Sequence, residues 1–183
     1  MSPPTAIPGF ESPAAGFEQP FEMLSACHDR VRRSLALLGR LCDHLARNGV
    51  DVQARHAAAD VLRYFSIAAP AHHEDEERHI VPALQARGDE ASLRSAQRML
   101  DDHFAIRTGW ARLAPLLHGV NAGDAPQDAA LEAAAREFIA MHDDHLMLED
   151  ELAFPAAAEQ IAGEGSQAVD AMGREMAGRR NVR

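Results

Sequence analysis

The feature that most constrains the fold of this chain is an eleven-residue pattern that occurs twice. HHEDEERHIVP begins at His72, and HLMLEDELAFP begins at His145, seventy-three residues later. Each copy has His at its first position, Glu at its fifth and Pro at its eleventh. Because a helix turns by about 100° per residue, a His and a Glu four residues apart lie on the same face. The repeat therefore predicts two helices that present the same pair of metal-binding side chains.

Composition favours helix throughout the chain. With 183 residues and 46% hydrophobic content, it is long enough for one domain with a substantial core. Alanine and leucine dominate, whereas the residues that favour strands are scarce. We expect an all-α protein, with an antiparallel up-down-up-down four-helix bundle at 21–160. A flexible, extended N-terminal segment at 1–20 and a partly helical C-terminal tail at 161–183 are expected to flank it.

Glycine and proline divide the bundle into four amphipathic helices. The first is expected over 21–48 and the second over 51–87, with a kink or break near Pro70. The third follows the Gly-Asp turn at 88–89 and runs to about residue 120. The core-facing side of the fourth helix is expected to continue through the second motif as far as Leu152.

The C-terminal tail has few apolar residues. From Gly163 onward we expect a mobile linker followed by a short, weak helix around 169–177. The chain's only basic cluster consists of Arg179, Arg180 and Arg183, and it is expected to be solvated.

One histidine on the core-facing side of each helix is expected at the same height of the bundle. Counted outward from the connecting turns, the four histidines differ by one or two residues, which is about 3 Å at a rise of about 1.5 Å per residue. The second and fourth helices also carry the repeated glutamate one turn away. The predicted site consists of His28, His72, Glu76, His103, His145 and Glu149.

This set of side chains indicates a metal site. Without a cation, burying two carboxylates and four imidazoles would cost roughly several kcal/mol per unpaired group. Six nitrogen and oxygen ligands without a thiolate exceed what one tetrahedral zinc uses, and they suit two first-row ions. We expect two iron ions with two terminal histidines each, bridged by Glu76, Glu149 and a solvent-derived oxide or hydroxide. Open positions would then accept a small diatomic ligand.

A second register of the second helix stays open. His73 and Glu77 repeat the four-residue spacing one position after His72 and Glu76. The preceding apolar residues of this helix point His72 inward, so we prefer His72 with Glu76.

Four further histidines require an assignment. His142 stands one turn before His145 and is open to three roles: fifth ligand, hydrogen-bond donor to a ligand, or core residue. His44, His56 and His118 fall nearer the opposite end of the bundle, and we expect them at the surface.

The ordered set of histidines, glutamates and trailing prolines resembles the hemerythrin-like, or HHE cation-binding, family over about residues 20–160. The resemblance implies a four-helix bundle with a non-haem di-iron centre. Oxygen-carrying members have five histidines, two of them four residues apart on the third helix, whereas here Arg107 stands four residues after His103. On that point the chain is more similar to the relatives that repair iron–sulfur clusters.

The function expected from this resemblance is binding, sensing or reaction with O2, NO or peroxide in a stress response. One alternative is an iron-handling protein that donates iron, as in iron–sulfur repair. Another is a bundle that holds zinc or manganese for a structural role. No residue set indicates an organic substrate, a nucleophile or a cofactor loop, which leaves enzyme status open.

Charge and cysteine content limit the partners. A net charge of -10 argues against nucleic acid, which needs a concentrated basic surface. No apolar run approaches the roughly 18 residues of a membrane span. Cys27 and Cys42 are about four turns apart on one helix, too far to pair, so free thiols in a reducing cytoplasm are expected. The sequence indicates no protein partner.

Overall fold

The computed structural model describes residues 16–126 and 129–181. These residues form helices and contain no strand, which confirms the all-α prediction. Helices that continue through π-helical turns are counted here as one helix. On that basis the described chain has five: α1, Pro20–Asn48; α2, 52–87; α3, Glu90–Ala122; α4, 130–163; and α5, Ser166–Asn181.

The first four helices enclose two apolar cores, and both α1 and α3 pack on α2 and α4. The first core includes Leu38, Val61, Leu113 and Phe138. The second core includes Leu24, Ile80, Met99 and Ala157. Burying each large apolar side chain contributes about 1.5–3 kcal/mol, so these two cores supply most of the packing free energy. On each of these four helices, the predicted metal-binding residues lie between the first core and the second core.

Short connections follow from local capping chemistry. Gly88 ends α2 in the left-handed conformation at a φ of 72°, which costs glycine little. Asp89 then begins α3 by accepting a hydrogen bond from the Ser92 backbone N–H at 2.9 Å. Asp51 begins α2 in the same way, accepting from the Ala54 N–H at 2.8 Å. These connections make consecutive helices neighbours.

Both copies of the repeated motif contain a π-helical turn that begins at the motif glutamate, at Glu76–Ile80 and Glu149–Ala153. After each turn, the next backbone N–H bonds to the glutamate carbonyl five residues back. The motif proline stands two residues beyond each turn. Proline has no N–H, and its ring clashes with the carbonyl four residues back, so the wider turn accommodates it.

The kink or break of α2 expected near Pro70 corresponds to a π-helical turn, and the helix is not broken there. The helix continues from 52 to 87, and a third π-helical turn, Tyr64–Ala68, lies immediately before this proline. Pro115 lies inside α3 without such a turn, so a proline alone does not produce one.

The π-helical turn in α4 also corrects the predicted core-facing side. Leu152 is 58% exposed, whereas Ala153 and Phe154 are buried. The extra residue in the turn rotates the following positions, so the spacing of a regular α-helix fails after Glu149.

The C-terminal segment is more ordered than expected. In place of a mobile linker and a short helix, α4 continues to residue 163, and α5 follows as a helix of 16 residues. Met172 and Met176, one turn apart on α5, are buried in the second core. A mostly polar sequence with one methionine stripe gave little sign of this packing.

Arg179 was predicted to be solvated, and this prediction is wrong. Its Nε–H donates a hydrogen bond of 2.6 Å to Asp75 on α2, whose side chain is 0% exposed. Nothing is described for the side chains of Arg180 and Arg183.

The predicted N-terminal segment is described only from residue 16 onward, so 1–15 lie outside the described residues. Phe17 packs against the second core. Within the described ranges, no helix is long and apolar enough to cross a membrane.

Replacing Arg179 with Ala should lower the free energy of unfolding of the metal-free protein by about 3 kcal/mol, because Asp75 would lose its buried ion pair. Urea denaturation measures the change, and Arg174→Ala at an exposed position of α5 is the control. Equal losses in the two variants would contradict the anchoring role of Arg179.

Candidate metal centre

The six side chains predicted to hold metal come from four helices and lie in one buried layer. α1 and α3 each contribute a histidine, while α2 and α4 each contribute a histidine and a glutamate four residues later. All six are at most 2% exposed, because the two cores cover the layer from both sides. They are His28, His72, Glu76, His103, His145 and Glu149.

Two groups of buried side chains, which together contain these six residues and His73, have the proximity that a bound ion requires. In each group, every residue offers one ligand atom, and these atoms lie within 4.8 Å of one another. The His28 group consists of His28, His72, Glu76 and Glu149. The His103 group consists of His73, His103 and His145.

The Glu76 carboxylate extends between the two groups. Its Oε1 lies 3.1 Å from His72 Nε2 and 3.7 Å from His28 Nε2. Its Oε2 lies 3.4 Å from His103 Nε2. One carboxylate therefore has an oxygen beside each histidine group.

Glu149 repeats this arrangement from the opposite helix. Its Oε2 lies 3.1 Å from His28 Nε2, while its Oε1 lies 3.3 Å from His145 Nε2 and 3.6 Å from His103 Nε2. Two atoms that coordinate one ion at about 2.0–2.2 Å are themselves roughly 3 Å apart. Both glutamates thus have the reach of bridging ligands.

The donor atoms also fit a cation chemically. The Nε2 atoms of the four predicted histidines and all four oxygens of the two glutamates are buried, and none has a hydrogen-bond partner in the described part of the chain. Leaving a buried polar atom unpaired costs about 1–3 kcal/mol, and more if it is charged. Coordination to a metal would satisfy all eight atoms at once.

The charges buried in this layer shift the pKa values of its histidines and glutamates. Burial alone would lower the pKa of His28 and His103, but the adjacent Glu149 and Glu76 carboxylates outweigh it and raise both pKa values to about 10. Burial would raise the pKa of Glu76, but the surrounding histidines hold it well below its ordinary value. A metal ion must therefore displace protons from His28 and His103 when it binds.

Comparison with known proteins agrees with this geometry. The family model of the hemerythrin HHE cation binding domain matches residues 19–157. This chain belongs to that family. It is also similar to an uncharacterized protein of Haemophilus influenzae, with 30% identity over 169 residues that cover 92% of this chain and 94% of the relative. Cation binding is the property that the family description assigns to the fold, and the matched range contains all six predicted residues while α5 lies beyond it.

In this hemerythrin-like chain the outer nitrogen of His28 has its own partner. His28 Nδ1–H donates to Asp150 Oδ1 at 2.7 Å, and Asp150 Oδ2 accepts from Arg32 at 2.6 Å. A proton fixed on Nδ1 leaves the lone pair of Nε2 for the centre.

His103 is held in the same way from the other half of the bundle. Its Nδ1–H donates to Glu77 Oε1 at 2.9 Å, and the same oxygen accepts from Arg107 at 2.8 Å. Arg107, four residues after His103, thus supports the partner of His103.

These contacts follow one sequence rule in both halves of the domain. The acidic residue directly after each motif glutamate contacts the histidine of α1 or α3, and an arginine four residues after that histidine contacts the acidic residue. The spacing of four residues between each of these histidines and its arginine is the sequence signal for this outer layer.

The other two histidines have different neighbours. His145 Nδ1 lies 3.8 Å from Asp102, which pairs with Arg98 on α3. His72 interacts with the thiol of Cys27, which is buried. The sequence predicted a free thiol at Cys27 but not its contact with His72.

His72 and Glu76, the preferred pair of the second helix, both belong to the His28 group. The prediction did not include His73 among the metal-binding residues, although it belongs to the His103 group. The His73 ring is 7% exposed and stacks on His103 with a centroid distance of 4.2 Å and an interplanar angle of 14°. His72 and His73 thus face different halves of the centre. Glu77 belongs to neither group and acts through His103.

The structure supports the core role for His142. Its ligand atoms belong to neither group, its Nδ1–H donates to the Phe138 carbonyl at 2.8 Å, and its ring packs against Phe65 and Phe138. Burial lowers its pKa to about 4. His56 and His118 are exposed, as expected, and His44 pairs with Asp51 at 3.0 Å.

Removing the Glu77 carboxylate with Glu77→Ala should weaken metal binding by roughly 10- to 100-fold, since His103 would lose the acceptor that orients its ring. Chelator competition measures the affinity. Glu74→Ala is the matched control, because Glu74 pairs with Arg78 on the surface of the same helix. Unchanged affinity in Glu77→Ala would contradict the positioning role.

The stability of the metal-free protein should be greatest near pH 6.5. Below that pH the unfolded chain binds more protons, because the pKa of His142 is about 4 when folded and 6.5 when unfolded. Above it the folded chain binds more protons, because the pKa values of His28 and His103 are about 10. Urea unfolding in the presence of a chelator tests both limbs, and each group changes the slope by at most about 1.4 kcal/mol per pH unit. His142→Leu should flatten the acid limb, and stability that still rises to pH 9 would contradict the assignment.

Proposed function

We propose that this chain is a non-haem di-iron protein that binds, senses or reacts with O2, NO or peroxide in a stress response. The observation that carries the proposal is the pair of buried carboxylates, Glu76 and Glu149, each with one oxygen beside each histidine group. When bound, two adjacent iron ions would supply redox chemistry and coordination positions for a small ligand.

Under this proposal the two ion positions are unequal. His28 and His72 would serve one position, and His103 and His145 the other, with both glutamates bridging. His73 belongs to the His103 group as a third histidine. The sequence expectation of two histidines for each iron is revised in this respect.

The protein side chains would define the reactivity of this centre. The two cores exclude bulk water, which favours small ligands that pass between apolar side chains. Asp150 and Glu77 hold the Nδ1 protons of His28 and His103, so the Nε2 atoms stay directed at the centre. Their arginine partners lie half-exposed and connect each histidine with the surface.

The remaining expectations belong to the same proposal. They are alternating directions for α1 to α4, a cytoplasmic location and the absence of nucleic-acid and membrane partners. The iron-donor alternative receives less support, because ligands that are at most 2% exposed favour retention over release.

Protein purified from an iron-replete culture should contain about two irons per chain. Glu149→Ala should retain less than half of that iron, because a bridging carboxylate is lost, whereas Glu151→Ala, an exposed glutamate of the same π-helical turn, should retain it. Elemental analysis measures the metal content. Iron near zero would contradict the proposal, and a majority of zinc or manganese would favour the structural alternative.

A further inference from the structure

A cavity of about 220 Å³ lies between α2 and α3, beside the metal centre. Its walls are largely apolar and aromatic: Phe65, Ala69, Ile106, Trp110 and Phe138. Glu74, Glu77 and Arg107 stand at its polar edge, and His73 is the lining residue that also belongs to the His103 group.

His73 connects this cavity with the centre. Its ring stacks on His103 and has one of its nitrogens within 4.8 Å of ligand atoms of His103 and His145. A molecule in the cavity would therefore touch a residue that is itself part of the His103 group. No other residue of either group lines the cavity.

The cavity arises from a difference between the two motif-bearing helices. One turn before the motif histidine, α4 has His142, whose ring fills the space beside Phe65 and Phe138. α2 has Ala69 at the equivalent position. One residue after the motif histidine, α4 has the buried Leu146, whereas α2 has His73. The methyl group of Ala69 on α2 thus stands where α4 carries the imidazole of His142. Because the fold accommodates a large side chain at this position of α4, it does not require the cavity beside Ala69.

Size and chemistry indicate the class of ligand. An apolar cavity of about 150 Å³ is enough to bind benzene, so this one exceeds the needs of a diatomic molecule and suits a single aromatic ring with a small substituent. Phe65, Trp110 and Phe138 offer aromatic faces and edges to such a ring. The acid and base at the edge, Glu77 and Arg107, neutralise each other at 2.8 Å, so neither sign of charge is favoured.

We propose that this cavity binds a small neutral aromatic molecule whose polar group meets His73 beside the metal centre. The inference rests on the proposed function only in that a bound ligand would lie beside the metal centre. The cavity itself is formed by protein side chains. The inference extends the ligand class from diatomic gases to small organic compounds.

Trp110 is the chain's single tryptophan, so its fluorescence reports directly on the cavity. Purified full-length protein, with its metal content measured, would be titrated with phenol, toluene and benzoate. We expect saturable binding with a stoichiometry of one, phenol tighter than toluene because of its hydroxyl, and benzoate weakest because of its charge.

Ala69→Leu should weaken phenol binding at least tenfold by filling the cavity, while Ala133→Leu at an exposed position of α4 should leave it unchanged. A crystal of the unaltered protein soaked in phenol gives an answer that does not depend on the variant folding, and phenol beside Trp110 is the expected result. Equal affinity in the two variants, tighter binding of benzoate or phenol located elsewhere would overturn the proposal.

The metal measurement separates this inference from the proposed function. Phenol binding in the cavity of a chain that lacks iron would support the cavity site and refute the di-iron function. Two irons per chain with no binding of phenol or toluene would do the reverse.

Discussion

The rest of the structure depends on the burial of two carboxylates between four imidazoles. Glu76 and Glu149 are 0% exposed, so their charge must be balanced inside the protein by protons on histidine or by metal. All four helices take part in that balance, because the raised pKa values of His28 on α1 and His103 on α3 arise from the carboxylates of α2 and α4. The two apolar cores then keep water away from both ends of the layer. Packing and charge balance thus impose the same arrangement of α1 to α4.

A second layer of contacts gives the centre a near twofold character. The pairs His28–Asp150 and His103–Glu77 stand in equivalent positions, each backed by an arginine. The two halves differ at one position of the motif, where α2 has His73, which lines the cavity, and α4 has the buried Leu146. The two histidine groups therefore have different surroundings although the two halves of the bundle share one scaffold. Such a difference would let one group hold metal while the other also contacts a ligand.

Sequence periodicity was sufficient for the first four helices and for placing the six predicted side chains in one buried layer, because a regular α-helix fixes which side chains share a face. It failed where the helix is not regular or where two adjacent residues both face inward. Leu152 was misplaced because a π-helical turn adds a residue, and His73 was set aside because it competed with His72 for one face. The docking of α5 depends on an ion pair over a long sequence separation, between Arg179 and Asp75, which local patterns do not encode.

The contact between Arg179 and Asp75 has a consequence for how the domain responds to its metal. Asp75 immediately precedes Glu76, so α5 is attached to the part of α2 that carries the buried Glu76 carboxylate. Two events that each restrain the same short stretch of α2 favour one another by an equal free energy in both directions. Metal binding would therefore stabilise α5, and fraying of α5 would weaken the retention of the ions. In this way α5, which lies beyond the matched family domain, would be coupled to metal binding.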